Sequence, residues 1–421
     1  MIYLVVGNDV SFPEGVSADS NYLNPQLDHL LPNPHDGEPD HRVGYILRTD
    51  PEGKNWEVIA GGFRNQVDIA FNAAGEMFTW DADMEWDLGQ PWYRPTRINH
   101  IIPGGEYGWR SGTGKWPEYY ADSLPATLNT GLGSPTGMVS GSEGKFPERF
   151  RDVLFAADWQ NGRILLIDMI PNGATYTCTS EVFLEGGPLN VCDMQFGPDG
   201  ALYFITGGVG SQTGLYRVTP DPDMENTSKL PEVSPQQIAH GEEQRALRRK
   251  LEEYQTSTTD DIGFLWSQLK SPDRWLRFSA RVALEKQEPA NWRSLVLNET
   301  DPEVAITGLI ALARKGSEAD QPEVFQALLK ISPDEITVEQ FADLLRAYQL
   351  CFLRLGSPTE KQKELLRNRL SSHFPSRSSN VNHLLGELLV YVGEESFVSR
   401  AIPLLKMDLS QEEEIRVLAA C

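Results

Sequence analysis

Residues 63–110 read FRNQVDIAFNAAGEMFTWDADMEWDLGQPWYRPTRINHIIPGGEYGWR, and this stretch decides the fold. It opens on Arg64-Asn65, enters a short strand and turns at Asn72-Ala73-Ala74-Gly75. A second strand over 76–80 runs into a cluster of acids and aromatics. The stretch closes on Arg97-Ile98-Asn99 and the turn Pro103-Gly104-Gly105-Glu106-Tyr107-Gly108-Trp109. Residues suited to site chemistry thus fall where strands end and loops begin, the place where a rigid β scaffold displays function. Part of the pattern recurs. Phe71-Asn72-Ala73-Ala74-Gly75-Glu76-Met77-Phe78 is echoed by Phe196-Gly197-Pro198-Asp199-Gly200-Ala201-Leu202-Tyr203, each a strand, a tight glycine turn and a strand. Further strands are expected over 44–48, 56–60, 152–157, 163–169, 181–184 and 215–219, several of them after Gly, Asn or Asp clusters. Short strands with internal self-similarity predict a β-propeller, with a β-sandwich as the alternative.

Outward from that stretch, the chain changes character near residue 220. Pro220-Asp221-Pro222-Asp223 ends the β region, and a polar stretch follows. From Glu242 onward the sequence is helical and poor in glycine. Two segments align, one from Pro272 through Leu276, Ala280 and Ala283, the other from Pro302 through Ile306, Ile310 and Ala313. Proline at a helix start costs no hydrogen bond, and apolar residues at i, i+4 and i+7 share one helical face. Paired helices of this kind predict a HEAT-like α-solenoid; an irregular bundle is the alternative. The expected organisation is multidomain: a partial all-β propeller over 1–220, a linker over 221–240 and an all-α HEAT-like solenoid over 241–421. The segment from Glu414 to Ala420 reads as a third copy of the repeat helix, and no polar cap follows it. With an apolar strand at the front, this leads to the expectation of a fragment of a longer protein.

The 421 residues suffice for two or three domains with real cores. Net charge is −23, and residues 1–240 hold 14 basic against 32 acidic side chains. Such a surface repels nucleic acid and anionic membrane and suits neutral ligands such as sugars, or cations; solubility alone is an equal reading. No run of 18 apolar residues spans a membrane. The four cysteines form neither CxxC nor CxxCH. Cys178 and Cys192 either pair across neighbouring strands or stay reduced. In Trp80-Asp81-Ala82-Asp83-Met84-Glu85-Trp86-Asp87, the acids Asp81, Asp83 and Asp87 offer hard oxygens for calcium, without the full EF-hand spacing. Trp80, Trp86, Trp92 and Tyr93 offer faces on which a sugar can stack while Asp81 and Asp83 take its hydroxyls. Equally, the tryptophans pack between sheets and the acids cap turns.

The stretch from Gly44 to Trp109 resembles the soluble glucose/sorbosone dehydrogenase family of β-propellers. The resemblance is carried by Arg64-Asn65, the strand-turn-strand after them, and Arg97-Ile98-Asn99 with Gly104-Gly105-Glu106-Tyr107-Gly108-Trp109. A closer likeness is to the large membrane-bound dehydrogenases with a haem-binding domain of the Planctomycetes–Verrucomicrobia group. It runs through Pro91-Trp92-Tyr93-Arg94-Pro95-Thr96-Arg97, Gly112-Thr113-Gly114-Lys115-Trp116-Pro117, Gly133-Ser134-Pro135-Thr136-Gly137, Gly214-Leu215-Tyr216-Arg217-Val218-Thr219 and Arg245-Ala246-Leu247-Arg248-Arg249-Lys250-Leu251.

The resemblance implies an extracytoplasmic (periplasmic) enzyme that oxidises a sugar or alcohol and passes electrons to a c-type haem domain outside this chain. It implies that Arg64 and Asn65 line a pyrroloquinoline quinone site, where a guanidinium stabilises charge on the reduced quinone. Two departures stand against a straight transfer. The family's calcium-binding glutamate precedes the Ile-Asn pair, where this chain has Arg97. The family's base histidine falls upstream of Met1, so this chain alone is expected not to oxidise sugars even with quinone and calcium. His100 is expected to be structural, and His29, His35 and His41 show no ligand spacing. The competing readings are a non-catalytic carbohydrate-binding propeller and a protein-interaction scaffold.

Overall fold

The computed structural model describes residues 1–17, 20–22, 30–31, 43–82, 95–110, 115–208, 210–221, 231–259, 261–407 and 409–421. Asp83, Trp86, Asp87, Trp92, Tyr93, His29, His35 and His41 lie outside them.

Among the described residues, the β region forms four antiparallel sheets in chain order. The first holds β1 (Ile2–Val6), β2 (Gly44–Thr49) and β3 (Trp56–Phe63). The second holds β4 (Ile69–Phe71), β5 (Met77–Asp81), β6 (Thr96–Ile101) and β7 (Leu128–Gly131). The third holds β8 (Pro135–Ser140), β9 (Val153–Asp158), β10 (Arg163–Asn172) and β11 (Thr175–Glu185). The fourth holds β12 (Val191–Phe196), β13 (Leu202–Thr206) and β14 (Gly214–Val218). Within every sheet each strand pairs with its neighbour in sequence, so each sheet is a meander. The two self-similar segments become the hairpins β4–β5 and β12–β13, in equivalent places in their sheets.

Adjacent sheets bury their inner faces against each other. Phe78, Trp80 and Ile98 of the second sheet pack on Leu154, Leu165 and Ile167 of the third. Phe155, Ile164 and Leu166 of the third pack on Met194, Phe196 and Phe204 of the fourth. Burial on both faces explains the nearly continuous apolar runs of β9 and β10, where one-sided strands would alternate. The segment 181–184, expected as a separate strand, is the far end of the long hairpin β10–β11, which turns at Gly173-Ala174. No strand pairing joins β14 to β1 among the described residues, so no ring closes there. Leu215 and Tyr216 on β14, and Ile2 and Leu4 on β1, are exposed.

The helical region comprises α1 (Pro235–Glu253), α2 (Ile262–Gln268), α3 (Arg274–Lys286), α4 (Arg293–Asn298), α5 (Pro302–Lys315), α6 (Gln321–Leu329), α7 (Val338–Leu355), α8 (Glu360–Leu370), α9 (Ser379–Tyr391), α10 (Phe397–Ala401) and α11 (Gln411–Ala420). Helix α1 begins inside the stretch read as linker. Asp273 caps α3 through the Trp275 and Leu276 amides, so Pro272 precedes the cap; Asp301 caps α5 with Pro302 at the first helical position. Helices α3, α5, α7, α9 and α11 each contact the next in that series, and α2, α4, α6 and α8 each contact the helix that follows. Leu276 and Ile306 are both buried. Leu276→Ala should lower stability by about 2–5 kcal/mol, read as a reduced urea midpoint with an unchanged slope.

The chain divides into two compact units. Among the described residues, the first takes 1–22, 43–110 and 125–249, the second 30–31, 115–124 and 250–421. The short segment 115–124, between β6 and β7 in sequence, thus belongs to the helical unit. Among the described residues, no helix is long and apolar enough to cross a membrane.

Candidate functional site at the ends of three strands

Arg64 and Asn65 lie just past β3, and Asp81 ends β5. The Asp81 carboxylate accepts the Arg64 amide at 3.1 Å and the Asn65 amide at 2.9 Å. Arg64 returns its carbonyl to the Asn8 amide at 2.7 Å, and Gln66 donates through Nε2 to the Val6 and Tyr45 carbonyls. The ends of β1, β3 and β5 therefore converge on one tripeptide. Asp81 is buried, Arg64 half-buried and Asn65 exposed. The backbone is held while the two side chains stand at the strand ends, the arrangement a positioned binding pair requires.

The Gly104–Trp109 motif explains why β3 ends where it does. Gly61 donates to the Gly105 carbonyl and accepts from Tyr107, and Gly62 accepts from Trp109. Gly62 has φ +83°, and a Cβ there would stand 1.9 Å from Glu106 Oε1 and 2.7 Å from the Tyr107 nitrogen. Only glycine fits. Glu106 is fixed in turn by a two-point contact from Arg110, 2.9 Å at each oxygen, and by the Tyr22 hydroxyl at 2.8 Å. The motif is a buried lock beneath Arg64.

Of the other candidates, Trp80 is 1 % exposed, and its indole N–H donates to Thr96 Oγ1 and Thr130 Oγ1. Its ring packs between sheets, which leaves no face for a sugar. Asp81 spends its carboxylate on two amides, and no cluster of three or more potential ligands for a metal occurs among the described residues. Arg97 sits across from Asp81 on β6, is buried, and donates through Nη2 to the Tyr107 carbonyl at 2.7 Å. A guanidinium already fills the position from which the resemblance would draw a calcium ligand, so calcium does not fit there. Asp68 binds the Ile69 and Met138 amides, and burial raises its carboxyl, with the charge of Asp193 adding to the shift. Cys178 and Cys192 are both free thiols, and burial pushes the Cys178 thiol up to about 12.

Two buried charge clusters escaped the sequence reading. In the first unit, Glu76 binds His100 Nε2 at 3.0 Å, Arg249 at 2.5 Å and Arg248. His100 Nδ1 meets Thr175 Oγ1 at 2.9 Å, so His100 is structural. Burial alone would raise the Glu76 carboxyl, but the His100 bond and the Arg248 charge hold it at about 2. Burial, aided by Arg248, outweighs Glu76 and holds the imidazole at about 4. In the second unit, Asp122 is fully buried between Arg346, at 2.9 Å, and Arg314, at 3.2 Å. Arg346 stacks on Tyr120 and Trp116, and Tyr119 binds His383. Residues on α5, α7 and α9 thus grip segment 115–124. Glu76, His100, Arg248 and Arg249 stand in segments that the sequence had marked, whereas Asp122, Arg314 and Arg346 do not; in both clusters the partners are distant in sequence and nothing local pairs them.

No protein-family model and no curated protein matches the chain. Among solved structures, similarity extends to an oxidoreductase from Thermus thermophilus described as a glucose dehydrogenase, at 22 % identity and TM-score 0.32 over 38 % of this chain and 49 % of that one. A second glucose dehydrogenase matches at 18 % identity and TM-score 0.32, over 42 % and 55 %. An aldose sugar dehydrogenase from Streptomyces coelicolor in its PQQ-bound form matches at 18 % identity and TM-score 0.30, over 41 % and 51 %. The chain spans about half the length of these structures.

Proposed function

We propose that the β unit is part of the propeller of an extracytoplasmic dehydrogenase that oxidises a sugar or alcohol with pyrroloquinoline quinone. On this reading electrons pass to a c-type haem domain outside this chain, and the helical unit is a HEAT-like solenoid. The observation that carries it is the fixing of the Arg64 and Asn65 amides on Asp81, which holds a cationic and an amide side chain together at the strand ends. That pair is also the one on which the sequence resemblance rests. Arg64 supplies positive charge to a carboxylate or to an oxygen gaining charge, Asn65 donates and accepts hydrogen bonds, and Asp81 keeps both from shifting. Quinone, when bound, would supply the hydride acceptor. Calcium has no place in the scheme at Arg97.

In a full-length protein supplied with quinone, Arg64→Ala should lower dye reduction at least 10²-fold, the scale of one lost charge-stabilising donor. Lys54→Ala, on an exposed turn, should leave it unchanged. Equal turnover in the Arg64 variant would remove this assignment and leave the scaffold reading.

A further inference from the structure

The helical unit contains a cleft of about 250 Å³ between α3, α5, α7 and the start of α9. By volume it has room for roughly eight waters. Helix α3 lines it with Arg274, Arg277 and Arg281 at a spacing that places all three on one face. Two are neutralised by carboxylates: Arg277 by Glu303 at 2.8 Å and Arg281 by Glu285. Arg274 is different. It donates through Nη2 to the Tyr120 and Ser123 carbonyls at 2.7 and 2.8 Å, and no carboxylate lies within ion-pair distance among the described residues. Arg281, 2 % exposed, keeps its Nε without a hydrogen-bond partner. Across the cleft stands Asp343 on α7, whose carboxyl makes no hydrogen bond or ion pair among the described residues. The groups facing it are Arg274 and Arg277 on α3, Glu303 at the start of α5, and Asp122 from segment 115–124. Glu339, one turn before Asp343 on α7, adds a second carboxylate to the wall, and Tyr119, Ser378 and Asn380 add neutral polar groups.

We propose that this cleft is a binding site for a small hydroxy-carboxylate, whose carboxylate pairs with Arg274 and whose hydroxyls reach Asp343 and the polar wall. Of the three arginines Arg274 alone has no carboxylate in contact, which leaves its guanidinium open to a single negative charge, while the nearby Asp343, Glu118 and Asp122 oppose a second, so a doubly charged anion, as phosphate is at pH 8, is disfavoured. Burial pushes the Asp343 carboxyl up to about 7, so near neutrality it exists in both forms. The protonated form donates to a ligand hydroxyl, whereas the ionised form repels the ligand's carboxylate. Binding therefore takes up a proton and strengthens as pH falls. This site is independent of the quinone reading.

Calorimetric titration of the full chain with D-gluconate, sorbitol and inorganic phosphate at pH 6 and pH 8 tests it. Gluconate should bind one-to-one, about tenfold tighter at pH 6, the change in the protonated fraction of a group titrating midway. Sorbitol, with the same hydroxyls and no carboxylate, should not bind. Arg274→Gln should abolish gluconate binding. Because Arg274 also holds two carbonyls and that variant risks misfolding, Asp343→Asn supplies a second reading: it should keep the pH 6 affinity and lose the pH dependence. Absence of saturable gluconate binding, sorbitol binding as tight as gluconate, phosphate binding as tight as gluconate at pH 8, or an unchanged pH dependence in the Asp343 variant would each overturn the proposal.

Discussion

Asp122→Asn should lower the unfolding free energy of the helical unit by about 3–5 kcal/mol, the scale of breaking a buried ion pair by removing one partner. The reason is asymmetry. Asp122 is 0 % exposed and receives Arg346 at two oxygens, 2.9 and 3.1 Å, and Arg314 at 3.2 Å. Burial would raise its carboxyl, but the two guanidinium charges outweigh it and hold it well below the usual carboxylate range. Without the carboxylate, Arg346 stays enclosed against Tyr120 and Trp116 with its charge uncompensated. Arginines on α5 and α7 would then lose their common anchor in segment 115–124. Urea unfolding followed at 222 nm, beside Lys361→Ala as an exposed control, measures the effect. A loss below about 1 kcal/mol would mean that solvent already reaches the cluster.

The second large effect is a loss of stability in acid, centred on Glu76 and His100. Glu76 has a depressed folded-state value, about 2, so its contribution is complete above its unfolded value and fades as pH falls towards 2. His100 is also depressed, to about 4. The unfolded chain takes up a proton at His100 below about pH 6.5, while the folded chain resists it until about pH 4. Stability therefore falls with acidification across that window as well. The signs agree, and the first unit should lose several kcal/mol between pH 7 and pH 3. Glu76→Gln should be destabilised at pH 7, because Arg248 is buried against it, and should show a shallower pH slope. A parallel slope in wild type and variant would assign the acid sensitivity to other carboxylates.

The two effects also show what could be read from the chain before it was folded. The order of a β region followed by a helical region was legible because both signals are local. Glycine turns between short strands mark hairpins within about ten residues, and one face of α3 or α5 repeats within two turns. The self-similar segments ending at Phe78 and Tyr203 did become matching hairpins, and Leu276 and Ile306 are both buried. That Arg64-Asn65 and Gly104-Gly105-Glu106-Tyr107-Gly108-Trp109 stand where strands end was also legible, from the density of Gly, charge and aromatics there.

What each residue does there was decided only by tertiary structure. Trp80, offered by sequence as a sugar platform or a packing residue, packs, because the third sheet covers its strand. Arg97 occupies the position of an expected metal ligand and binds a carbonyl. Arg248 finds Glu76 172 residues away, and Arg346 finds Asp122 224 residues away. Segment 115–124 lies between two strands in sequence yet belongs to the helical unit. Hydrophobic periodicity is a property of neighbours along the chain, so sequence alone determined the order of the β and helical regions and the buried face of helices such as α3 and α5, but left β7 and β8 unmarked. The choice of partner for a buried charge depends on which strand ends and helix faces packing brings within about 3 Å, and that distance exists only once the chain has folded.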